Sequence, residues 1–246
     1  MFASIITLAG FLAAATALPA SGLYRANNTA AGAAGAAGAA SADWACSGSS
    51  TYTEGDSDQG KGVWIKNSDS QRRGFYAYHN SCDAVPFKHI WINGGDTRFI
   101  SFPDRWEGRI TRGDDGSNLN GQPQLLATWL EFSLDQNGWI WGDVSLIRGT
   151  DGAVRIWTSD GSNQERGFSQ NVIDSAPGNV VAYKPNGARV IMNTEGPGGA
   201  ITPARDYLLN VVGAGNAYID DAHGNPVITS TNGRFGTECY NYPWWL

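Results

Sequence analysis

The sequence predicts an all-β protein, an antiparallel β-sandwich preceded by a disordered N-terminal tail. Three observations carry that expectation. Only 16% of the 246 residues are charged, against 32 Gly, ten Trp and nine Tyr; low charge with many aromatics suits an extracellular all-β chain. Short alternating apolar segments recur throughout the second half of the first hundred residues and beyond, separated by Gly-, Asn- and Asp-rich turns. No stretch sustains the 3.6-residue periodicity of an amphipathic helix.

The elements follow in order. Residues 1–17 open an apolar run, MFASIITLAGFLAAATAL, that is too short to span a bilayer and ends in the small-x-small pattern Ala15-Thr16-Ala17, so it reads as a secretory signal peptide. Residues 18–43, centred on AAGAAGAAGAASA, supply no side chains for a core and carry glycine at helix-penalising spacing, which makes them a flexible linker. Asn27 heads the sequon Asn27-Asn28-Thr29 in that linker and is a candidate glycosylation site. Residues 44–246 form the expected β-domain. Its predicted strands cover 62–67, 74–79, 87–93, 97–102, 108–112, 125–134, 139–147, 154–159, 180–184, 189–193, 207–212, 218–220 and 227–230. Lys184-Pro185-Asn186-Gly187-Ala188 between two apolar runs is a strong hairpin signal, and no helix is predicted.

Several function classes fall away on composition. With 17 basic against 23 acidic residues, a net charge of −6 leaves no basic patch to neutralise phosphates, which argues against nucleic acid as a partner. Three His and three Cys in no ligand-like spacing argue against a metal site, and no cofactor is expected. Cys46, Cys82 and Cys239 imply one disulfide and one free or intermolecular thiol, with three possible pairings; three buried thiols are the alternative. A secreted monomer with no membrane contact after signal cleavage is expected.

The chemistry is concentrated in one hairpin, LLATWLEFSLDQNGWIWGDVSLIRG over 125–149. A three-residue loop, Gln136-Asn137-Gly138, places glycine where a type I turn with a bulge needs a left-handed residue. That register pairs Asp135 with Trp139, Ser133 with Trp141, Glu131 with Asp143 and Trp129 with Ser145. One face then collects Leu130, Phe132, Leu134, Ile140, Val144 and Leu146. The other holds Trp129, Glu131, Ser133, Trp141, Asp143 and Ser145. A one-residue slip would mix this sorting. Glu131 and Asp143 therefore face each other with Cβ atoms about 4.5–5.5 Å apart, close enough for repulsion to raise one pKa. Paired carboxylates beside indoles suit acid/base work on, or binding of, a sugar chain. A salt-linked polar face without a ligand is the alternative.

The motifs also resemble those of the thaumatin-like family. Leu130-Glu131-Phe132-Ser133-Leu134-Asp135 and Asp143-Val144-Ser145-Leu146-Ile147-Arg148-Gly149 are similar to that family's A-E-F-[ST]-L-[ND] and D-[IV]-S-x-[IV]-x-G strands. Gly108-Arg109-Ile110-Thr111-Arg112 resembles its G-R-[IV]-W-x-R strand, Asn93-Gly94-Gly95-Asp96-Thr97 its G-[ED]-[ST]-W segment, and Val63-Trp64-Ile65-Lys66-Asn67 its opening strand. The resemblance spans roughly residues 62–159 and implies a β-sandwich crossed by an acidic cleft associated with β-1,3-glucan. It implies that Glu131 and Asp143 are the cleft acids, with Arg112 the cleft arginine. Arg148 stands where the family carries a further Asp, and the cysteine-rich second domain has no counterpart. Asp174, Glu195, Asp220 or Asp221 could supply the missing acid. Trp129, Trp141, Arg112 and Arg148 become the expected ligand-binding residues. The expected function is binding of cell-wall polysaccharide; hydrolysis by Glu131 and Asp143, or a non-catalytic interaction role, is the alternative. The other tryptophans at 44, 64, 91, 106, 157, 244 and 245 are expected in the core.

Overall fold

The computed structural model describes residues 45–80 and 82–240. The signal peptide (1–17), the linker (18–43), Asn27, Trp44 and the segment 241–246 lie outside the described residues. Two sheets enclose one core. The larger has seven strands: β1 (Thr51–Thr53), β3 (Arg73–His79), β4 (Lys88–Ile92), β6 (Glu107–Gly113), β7 (Trp129–Leu134), β8 (Ile140–Ser145) and β15 (Ile228–Ser230), in the order β1-β4-β3-β6-β7-β8-β15. The smaller has β2 (Gly62–Ser68), β5 (Thr97–Ser101), β9 (Val154–Thr158), β10 (Glu165–Gly167) and β16 (Arg234–Tyr240), in the order β10-β9-β16-β2-β5. Val63, Ile65, Ile100, Ile156 and Phe235 from the smaller sheet share a hydrophobic core with Phe75, Ile110, Leu130, Phe132 and Val144 from the larger, as a sandwich of two alternating faces requires.

Pairing is antiparallel except between β1 and β4 and between β16 and β2. The second exception comes from a strand the sequence reading missed. Arg234–Tyr240 forms the middle of the smaller sheet. Its pattern Arg-Phe-Gly-Thr-Glu-Cys-Tyr alternates too weakly to be told from a loop, because Gly236 lies against Trp157 with no room for a side chain. One predicted strand is also corrected. Residues 207–212 lie in a helix (Thr202–Val211) and its cap, not in a strand. Pro203 occupies the first turn, where a missing N–H costs nothing. Ala204, Leu208 and Val212, four residues apart, enter the core as one helical face. The run Tyr-Leu-Leu-Asn-Val-Val read alone suits either periodicity.

The turn chemistry forms as read. In β11 (Val181–Tyr183) and β12 (Arg189–Ile191), Lys184 N donates to Ala188 O at 3.0 Å and closes the predicted hairpin. Residues 218–220 contribute only an isolated bridge, Ser145 to Tyr218. Cys46 and Cys82 are disulfide-bonded, and Cys239 is a buried free thiol whose pKa burial pushes up to about 11. Among the described residues no helix is long and apolar enough to cross a membrane.

Candidate functional site

The hairpin holds the register that its sequence dictates: Trp129 opposite Ser145, Glu131 opposite Asp143, and Ser133 opposite Trp141. Gly138, at φ +86°, takes the left-handed position of the loop, and Asp135 Oδ1 accepts from Asn137 N and Trp139 N, both at 2.8 Å. Leu130, Phe132, Leu134, Ile140 and Val144 turn into the sandwich core. Glu131 and Asp143 therefore share the outer face of the seven-stranded sheet. Gly142, between them and Trp141, faces inward, where any side chain would strike Phe235.

The row extends onto the neighbouring strand. Arg109 of β6 pairs with Glu131, so Arg109, Glu131 and Asp143 stand side by side on three consecutive strands. Arg109 is fully buried, its guanidinium carbon 4.0 Å from the Trp129 ring centroid and 4.9 Å from that of Tyr78. One of its nitrogens donates to Asp83 Oδ1 at 2.6 Å, while Nε and Nη1 are buried without a hydrogen-bond partner. Asp143 is 3% exposed and its Oδ1 is likewise unpartnered. Glu131 is only partly buried.

These environments set the charge states. Burial pushes the Asp143 carboxyl well above the usual range, and the neighbouring Glu131 pushes it further. Burial also raises Glu131, against a lowering pull from the Ser145 hydroxyl, Arg109 and Arg148, with Asp221 raising it again. Asp143 is thus the more strongly raised member of the pair, and Glu131 is the acid that reaches solvent.

The structure brings some of the expected residues together and separates others. Arg148 lies within electrostatic reach of Glu131, as does Asp221, whose amide donates to Glu195 Oε1 at 3.0 Å. Of the four acids considered for the missing position, Asp221 is the one that acts on Glu131. Trp141 sits partly exposed on the outer face. Arg112 does not join them. Strand alternation turns it to the opposite side from Arg109, where it is 4% exposed and donates to Tyr240 O at 2.7 Å and to Asp151 O at 3.4 Å. Trp129 faces the right way but is 1% exposed, covered by Arg109 and tied through Nε1 to Leu125 O at 2.9 Å. Neither is placed to touch a ligand.

Three residues of this face escaped the sequence reading. Arg109 takes the position expected of Arg112; its three-residue offset along one strand already required opposite faces. Glu107 pairs with Ser133, next to Trp141 in the adjoining row, and burial raises its pKa. Trp139 is 43% exposed, with its ring centroid 6.0 Å from that of Trp141. The two-residue step between the indoles was the available signal.

The chain matches no family model, and no curated protein sequence matches it. Among solved structures it is similar to the protein elicitor MoHrip2 from Magnaporthe oryzae, at 14% identity and a TM-score of 0.30 over 45% of this chain and 78% of that one. It is also similar to the thaumatin-like xylanase inhibitor TLXI, at 12% identity and a TM-score of 0.39 over 72% and 97% of the two chains. A laminaripentaose-producing β-1,3-glucanase in complex with laminaritetraose gives 13% identity and a TM-score of 0.38 over 53% and 52%. The inhibitor is described as thaumatin-like, the resemblance that the hairpin motifs carry. At these TM-scores the overlays contribute nothing to a reading of the site, which stands on its own geometry.

Proposed function

We propose that this chain is a secreted polysaccharide-binding protein that takes a β-1,3-glucan type of chain along the outer face of β7 and β8. In this reading residues 1–17 direct export, 18–43 form a spacer bearing a glycan at Asn27, and the domain from 44 onward carries the site. The observation that supports it is the Trp139–Trp141 pair standing on the same face as Glu131. Exposed indoles stack on the apolar faces of sugar rings, while Glu131, Glu107, Ser133 and Arg148 offer acceptors and donors for hydroxyls. The β-1,3 linkage is taken from the motif resemblance.

Binding fits this face better than hydrolysis. A retaining glycosidase needs an ionised second carboxylate in contact with the sugar, and an inverting one needs a base beside a water. Asp143 is 3% exposed, out of reach of a sugar or a nucleophilic water on this face, so it serves neither role; it is a buried neighbour beside Glu131.

Titration of laminarin and sedimentation with insoluble β-1,3-glucan test the reading, with cellulose as the linkage control. The wild type is expected to bind the β-1,3-glucans and to release no reducing sugar. Trp139→Ala combined with Trp141→Ala is expected to weaken binding about tenfold or more, about 1.4 kcal/mol, and Glu131→Gln severalfold. Failure of the wild type to bind any glucan, or binding indifferent to loss of both indoles, removes the proposal. Reducing-sugar release abolished by Glu131→Gln would replace it with the hydrolase reading.

A further inference from the structure

We propose that the Cys46–Cys82 disulfide governs the charge environment of Glu131 by holding Asp83 against the buried Arg109. The connection is a short chain of contacts. Cys46 is exposed and Cys82 is 4% exposed, and the bond between them crosses 36 residues of sequence to anchor the start of the described fold. Asp83 follows Cys82 directly. Its carboxylate meets Arg109 at 2.6 Å and its carbonyl accepts from Gln124 N at 3.4 Å. Arg109 is fully buried between Trp129 and Tyr78, and Asp83 accepts a hydrogen bond from its Nη2. On the other side of Arg109, in register on the next strand, is Glu131.

A buried guanidinium cannot shed its charge. Two carboxylates therefore divide the benefit of one cation. While Asp83 is held in place, its negative charge offsets part of what Arg109 offers Glu131. When Asp83 is released to solvent, the full field of Arg109 falls on Glu131 and favours its ionised form. The other groups that act on Glu131 are Asp143 on β8, Arg148 in the turn beyond it, the Ser145 hydroxyl and Asp221. None of these is adjacent to the disulfide in sequence; Asp83, next to Cys82 in the chain and paired with Arg109 through its carboxylate, is the charged group that the disulfide reaches.

The chemical step is a two-electron thiol exchange. A dithiol reductant supplies two electrons and two protons; the bond between the two sulfurs breaks, a thiol forms on Cys46 and another on Cys82, and the dithiol closes to its own disulfide. Cys46 is exposed while Cys82 is buried, so Cys46 is the end of the bond that a reductant approaches. The effect on ligand binding rests on the polysaccharide reading, whereas the effect on Glu131 does not.

The test follows the Glu131 carboxyl by carbon NMR across pH in protein labelled at its glutamate carboxyl carbons, with laminarin affinity measured in parallel. Four samples are compared: the oxidised wild type, the wild type reduced with dithiothreitol, Asp83→Asn with the disulfide intact, and Asp83→Asn reduced. The titration midpoint of Glu131 is expected to fall by about half a pH unit or more in the second and third samples. It should fall no further in the fourth, because both changes remove the same charge. A midpoint that stays put in Asp83→Asn overturns the proposal. So does one that moves in Asp83→Asn but not on reduction, and so does global unfolding on reduction, read by circular dichroism, since the tie would then be a fold-wide staple. If the midpoints shift as expected while laminarin fails to bind any sample, the charge control stands and the ligand assignment alone falls.

Discussion

Two buried charge clusters in this molecule resemble each other in composition and differ in every consequence. On the outer face of the larger sheet are Arg109, Glu131 and Asp143. On the opposite side of that sheet are Arg112, Asp151 and Lys184. In the second cluster the carboxylate is saturated: Asp151 accepts from Thr128 N at 2.9 Å and from Lys184 Nζ, with Arg112 4.0 Å away. Although burial works against it, Lys184 and Arg112 bring its pKa below the usual value. In the first cluster the carboxylates outnumber the cation, Asp143 Oδ1 has no hydrogen-bond partner, and the Asp143 pKa rises. Equal burial therefore does not fix a charge state. The count of partners does, and it separates a cluster that locks the fold from one that presents an acid to solvent.

The largest expected effect breaks the lock. Asp151→Ala strands Lys184 and Arg112 without their shared anion, and loss of one partner of a buried pair costs about 3–5 kcal/mol; urea unfolding at neutral pH measures it. A near-zero change would mean that the interior cluster is no lock at all.

The second effect sharpens the contrast through pH. Asp143 titrates above its unfolded value, so its contribution to stability is complete below about pH 4 and is lost as pH rises towards its folded value. Asp143→Asn should remove that slope, which reaches at most about 1.4 kcal/mol per pH unit. Asp151 has the opposite sign: its contribution is present above its unfolded pKa and disappears as pH falls through its lower folded value. Unfolding free energies of the wild type and Asp143→Asn between pH 4 and 8 should diverge as pH rises. Parallel curves would show that the two clusters titrate alike.

The smallest effect concerns the indoles. Trp139→Ala removes a side chain from an exposed position and should leave stability within about 0.5 kcal/mol, even though it belongs to the face proposed to bind glucan. A thermal melt checks this. A large loss would place Trp139 with Trp129 as a structural residue.

Much of the hairpin could be read before any coordinates. Alternation over 129–134 and 140–145 admits one register in which every aliphatic side chain shares a face with Phe132, and Gly138 fits the only loop that closes it. The same rule applied to β6 would have placed Arg109, not Arg112, beside Glu131; the motif resemblance pointed to the wrong arginine because a linear match carries no parity. The helix over Thr202–Val211 and the central strand Arg234–Tyr240 were illegible for another reason. Their short apolar patterns suit more than one element, and what decides between them is a distant surface: Ala204 and Leu208 against the core, Gly236 against Trp157.

By itself, then, the sequence determined the strand-rich class, the facing of Glu131 and Asp143, and the presence of one disulfide with one spare cysteine, because each follows from local alternation, turn geometry or simple counting. Tertiary structure alone decided that Trp129 lies under Arg109, that Asp143 is sealed from water while Glu131 is not, that Arg112 belongs to the interior, and that Asp83 meets the buried guanidinium. Burial and charge balance depend on which remote segments cover a surface, and no local pattern in a chain records what will come to rest on top of it.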